Sequence, residues 1–212
     1  MTFTAFAART LAPIAALAGL MTTGPALAQD ELQTILVDRV IVDPAQPALE
    51  GPRTITVRGG RIASIEEGWA EAAEGAPTID LSGKTVMPGL IDLHVHLTGD
   101  PGGDYWKEAV EADEWGVVVG AKNARLTALA GFTTVREAGS GPQTAFALRR
   151  GTAEGMIAGP RIIAAGPPLA IIGGHGDVNG FRPEVNELLD SGFTCTGAGE
   201  CAAKVRLASQ NG

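Results

Sequence analysis

From Gln29 to about Ser82 the chain sets short runs of apolar and β-branched residues between polar turns, the pattern of half-buried strands. Thr34 to Asp43 (TILVDRVIVD) is rich in Val and Ile. Arg53 to Gly68 (RTITVRGGRIASIEEG) is two alternating runs joined at Gly59-Gly60, which predicts a β-hairpin. PTIDLSGKTVMPG adds a further strand or two, enough for a small β domain or half of one. After Pro88 the period changes. GLIDLHVHL, FTTVREAG and PRIIAAG read as strands. Between them, DEWGVVVGAKNARLTALAG and GPQTAFALRRGTAEGMIAG read as helices, the first closed by Gly131 just past its end. The Gly-rich PPLAIIGGHGDVNG predicts a long loop, and AGECAAKVRLASQNG a last helix. Strands alternating with helices imply a parallel sheet with right-handed crossovers.

On the strand GLIDLHVHL the two-residue side-chain period places Asp92, His94 and His96 on one face and Leu93, Val95 and Leu97 on the other, where they suit packing under a helix. A strand buried on both faces of a parallel sheet is normally apolar throughout. A carboxylate and two imidazoles at its C-terminal end therefore need partners or a metal. Taken alone, His-x-His reads equally as a pair of metal ligands or as two structural histidines.

Composition narrows the class. Of 212 residues 45% are apolar, so a core can be buried, and the net charge is −8. Arg9 is the one charged residue before Gln29, so without residues 1–28 the balance is 15 basic against 24 acidic, or −9. With no basic patch in the sequence, nucleic acid is not an expected partner. Residues 1–28 carry Arg9, an apolar run from Leu11 to Met21 and a closing Ala26-Leu27-Ala28, the layout of a secretory signal peptide cleaved after Ala28. The run is about half the roughly 20 residues of a spanning helix, so no stable membrane anchor is expected once it is removed. The mature chain is then periplasmic or secreted. In an oxidising compartment Cys195 and Cys201 can close a disulfide, with two free thiols as the other reading.

A short β region, then KTVMPGLIDLHVHL, then AGFTTVREAG, resembles the amidohydrolase superfamily of metal-dependent hydrolases. GPRIIAAGPPLA, GGHGD and ECAAKVRLASQNG are most similar to its secreted imidazolonepropionase-like and Xaa-Pro dipeptidase-like branch. The resemblance implies an α/β fold. By the resemblance, residues 88–212 are expected to be the first part, about three β/α units, of a (β/α)8 TIM barrel, and residues 29–87 part of a small β-sandwich domain. It implies one or two divalent metals, usually zinc in such enzymes, that activate water for attack on an amide, imide or dipeptide C–N bond. Carried over by position, His94 and His96 are metal ligands, His175 lies beside the substrate and Asp92 supports a ligand or the strand. Arg136 and Glu137 end the second strand and could line the site; Glu137 is assigned no role, because similar enzymes often carry Asp at its place. A small-molecule or dipeptide-like substrate is implied, and a homo-oligomer of the full-length enzyme is left open.

The family's remaining metal ligands come from later strands, and about 125 residues after Pro88 compare with about 250 in a complete barrel. The chain is therefore expected to be the N-terminal portion of a longer enzyme, with no complete catalytic set and no activity alone. Two alternatives stand beside this reading: a non-catalytic remnant or interaction module, and a deaminase of the same superfamily.

Overall fold

The computed structural model describes residues 32–72, 76–102, 105–108 and 110–212. The segment expected to be a signal peptide, residues 1–28, lies outside them. The chain divides into two compact units that part between Met87 and Pro88.

The first unit holds one four-stranded sheet. Its strands are β1 (Leu32–Val40), β2 (Leu49–Arg58), β3 (Arg61–Glu67) and β4 (Thr78–Val86), in the order β3-β2-β1-β4. β2 pairs antiparallel with β1 and β3, and β4 runs parallel to β1. The expected hairpin joins β2 to β3 at Gly59 and Gly60, with φ of 53° and 73°. Two successive positive φ values match the right-handed strand twist and are open to glycine at no steric cost. β1 slips register between Val37 and Arg39 against both neighbours. That irregularity lets Val37 and Val40, three residues apart, both enter the core with Ile55. Thr54 is buried with its hydroxyl satisfied, donating to Gly68 O and accepting from Ala70 N–H, 2.8 Å each.

The second unit is α/β. Its strands β5 (Leu90–Val95), β6 (Phe132–Glu137) and β7 (Arg161–Ala164) form a parallel sheet in that order. The helices are α1 (Tyr105–Glu108), α2 (Trp115–Leu129), α3 (Thr144–Ala153), α4 (Pro183–Leu189) and α5 (Gly197–Asn211). Helix α2 ends at Leu129 with Ala130 as its C-cap, and Gly131 follows with φ 97°, the left-handed residue that lets the chain turn straight into β6. Leu97, Ala124, Val135, Leu148 and Ile162 make the core, one or more from each layer.

Two details depart from the strand-and-helix pattern. Val95 and Leu97 pack inward as expected, but Leu93 is 70% exposed. The β5–β6 register slips between Asp92 and Val95, so strict alternation breaks before Leu93 can share their face. Helix α4, with Pro183 in its first turn and Glu184 behind it, stands in a stretch the sequence reading assigned to no element.

Cys195 and Cys201 are joined in a disulfide across the N-terminal end of α5. Cys195 N–H donates to Ala170 O (2.8 Å), so the bridge ties α5 to the loop after β7. Closing so short a ring restricts the unfolded chain by about 2 kcal/mol. Cys201→Ser should lower the unfolding free energy by that amount, and reductant should do the same to the wild type. Denaturation curves that ignore both treatments would refute it.

Candidate metal centre

Strand β5 carries His94, and His96 follows one residue beyond its end, at the C-terminal rim of the parallel sheet. The two Nε2 atoms face each other at 3.2 Å, with the rings edge-to-face at 71°. His96 Nδ1–H donates to Gly139 O at 2.8 Å. A carbonyl only accepts, so this bond places a proton on Nδ1; in the neutral ring the lone pair is then on Nε2, directed at His94. Two imidazole nitrogens bound to one zinc at a tetrahedral angle stand about 3.3–3.4 Å apart. The observed pair matches that spacing, and both rings are exposed. Their separation and donor type fit a shared divalent cation. Among the described residues no third His, Cys, Asp or Glu joins them in a group that could hold a metal ion.

The segment after His96 is clamped from two sides. Leu97 N–H donates to Glu137 Oε2 at 2.5 Å, and Asn123 Nδ2 donates to Leu97 O and Gly99 O at 2.9 and 3.0 Å. Lys122 adds an ion pair to Asp100, whose carboxyl it holds below the usual range together with Asn123. Helix α2 thus staples the loop that follows the histidines.

Glu137 closes β6 on the same face as Val135, two residues earlier, and that face is the core. Its side chain is 0% exposed. Oε1 stands 3.7 Å from His96 Nδ1 and has no hydrogen-bond partner. Burial pushes the carboxyl up, against weaker downward pulls from Leu97 N–H, from His96 and from the Gly139 amide.

The other sequence candidates are placed differently. Asp92 Oδ1 accepts the backbone N–H of His94 (3.0 Å), so it shapes the strand, while the imidazole proton of His96 is held by Gly139. His175 is exposed on the loop after β7, which closes on itself through Gly173 N–H to Asp177 Oδ2 (2.7 Å). Arg136 is exposed. The structure brings together His94, His96 and Glu137, and does not bring His175 to them. Sequence reasoning left Glu137 without a role. Its signal was the alternation Val135, Glu137, which puts a carboxylate on an apolar face.

A model of the Amidohydrolase family matches residues 85–207, more than half of the chain. The dihydroorotase of Trichlorobacter lovleyi is 41% identical over 95 residues, which are 45% of this chain and 19% of that enzyme. The dihydroorotase of an Anaeromyxobacter species is 37% identical over the same shares. A solved Xaa-Pro dipeptidase with methionine bound in its active site superposes with a TM-score of 0.69 at 28% identity, over 85% of this chain and 45% of that one. The putative prolidase from Bifidobacterium longum gives 0.53 at 29% identity, over 67% and 31%. The chain spans less than half the length of each.

Proposed function

We propose, since this chain belongs to the amidohydrolase family, that it forms the N-terminal part of an exported, metal-dependent enzyme that hydrolyses C–N bonds in amides, imides or dipeptides. The observation that carries the reading is the convergence of His94 Nε2 and His96 Nε2 at 3.2 Å, with the His96 tautomer set by Gly139. His94 and His96 would hold the metal through these atoms, and zinc suits two imidazole nitrogens. The chemistry such a cation supplies when bound is Lewis-acid activation of water and of a carbonyl.

The chain's own contribution is positional. Gly139 O keeps the His96 proton away from the metal side. The Leu97 clamp keeps the ring in place, and the exposure of both histidines leaves room for a small substrate. The names of the similar proteins, dihydroorotase, Xaa-Pro dipeptidase and prolidase, support an amide or dipeptide-like substrate. Export is supported by the Ala26-Leu27-Ala28 ending, and a disulfide at Cys195–Cys201 suits an oxidising compartment. With two donors in place, this chain alone is expected to bind metal weakly and to hydrolyse nothing.

The sequence holds three histidines, so the test resolves every ring. In a Zn²⁺ titration followed by long-range ¹H–¹⁵N correlation, the Nε2 signals of His94 and His96 should move together while His175 stays still. Movement of His175 alone, or of no ring, would end this reading.

A further inference from the structure

We infer that Glu137 is a positioning residue for the histidine pair: one carboxylate oxygen fixes the Leu97 amide and the other stands at His96 Nδ1, so that Nε2 of His96 is held facing His94. The inference rests on reading the pair as metal ligands.

A fully buried carboxylate oxygen without a hydrogen bond is costly, and a neutral amide or hydroxyl could satisfy Leu97 N–H alone. An acidic side chain here therefore calls for a second role, and its unpartnered Oε1 lies 3.7 Å from His96 Nδ1. Nδ1 is then flanked by two acceptors, Gly139 O at 2.8 Å and Glu137 Oε1. Among the described residues, the hydrogen-bonding neighbour of Nε2 is His94 Nε2, at 3.2 Å. When Nε2 donates its lone pair to a cation, positive charge spreads to Nδ1–H, where the carboxylate stabilises it and raises ligand basicity. The corner is tight as well. A Cβ on residue 139 would come 3.2 Å from His96 Cε1, so the ring has little room to turn. Because Glu137 Oε2 also holds the amide of the very next residue, the same side chain helps place the His96 ring and, together with Gly139 O, favours the proton on Nδ1.

The test compares wild type with Glu137→Gln, which keeps shape and loses charge. Zn²⁺ affinity should fall about 10–100-fold, and the zinc-free His96 signals should shift from pure Nδ1–H toward a mixture of tautomers. Glu154→Gln, at an exposed residue paired with Arg150, should change neither. Wild-type affinity together with an unchanged His96 tautomer in Glu137→Gln would overturn the inference. If that variant does not fold, Glu137→Asp, which keeps the charge but withdraws it by one methylene, should also weaken zinc binding; wild-type affinity there overturns the inference, as does failure of both variants to fold. A wild type whose histidine pair takes no zinc refutes the metal reading instead, and the zinc-free tautomer comparison still decides the role of Glu137.

Discussion

Leu148→Ala is expected to lower the unfolding free energy of the Pro88–Gly212 unit by about 2–5 kcal/mol. Leu148 is 0% exposed, on the face of α3 that meets the core of Leu97, Ala124, Val135 and Ile162. Its side chain fills a notch that exists because residue 120 of α2 is glycine: a Cβ there would lie 2.8 Å from Leu148 Cδ2. Truncation removes the transfer energy of the lost carbons and leaves a cavity between two helices that cannot readily close. The same geometry supplies a second reading of the same site. Gly120→Ala alone overpacks the contact, whereas in the Leu148→Ala background the new methyl enters vacated space. The two substitutions should therefore be non-additive, with the double variant more stable than the sum of the singles requires. Leu129→Ala, at an exposed position of α2, should stay within about 0.5 kcal/mol of wild type. Denaturant unfolding measures all four, and equal losses at Leu148 and Leu129 would refute this account of the core.

His96→Ala should weaken zinc binding by more than the roughly 10–100-fold typical of losing a supporting group. It removes a donor atom and with it the chelation that two nitrogens 3.2 Å apart provide. His94→Ala should cost less. His96 remains anchored by Gly139 O in that variant, with Nε2 already bare, whereas the ring of His94 is steadied in the structure by its contact with His96. The order wild type, His94→Ala, His96→Ala in falling affinity is the specific claim, and competition against a chromophoric chelator reads it directly. An affinity for His96→Ala equal to that of wild type would remove the pair from the metal site.

Much of this was legible from residue order, for identifiable reasons. Gly59-Gly60 demanded a turn with positive φ, and the turn is there. The strand and helix periods after Pro88 implied a parallel sheet, and β5, β6 and β7 are parallel. Both results follow from local chemistry. What escaped was tertiary. Leu93 lost its expected face because two strands slip register, which no single strand can announce. Helix α4 buries no residue, so it imposes no apolar period to be read. Glu137 sat at a strand end, where a charge normally faces water, and its burial depends on what α2 and the His96 loop place over it. Gly139 contributes a main-chain carbonyl, a group every residue owns and no sequence motif marks.

The exposed apolar residues of the parallel sheet have a practical consequence. Ile91, Leu93 and Ile163 face solvent, on β5 and β7, strands that each pair only with β6 among the described residues. Their outer backbone groups form a template for strand addition, and the bare side chains make such addition adhesive. Colloidal behaviour, more than fold, will set the concentration at which this polypeptide can be handled. Light scattering recorded alongside each zinc titration will separate metal bound at His94 and His96 from metal trapped between associating sheets.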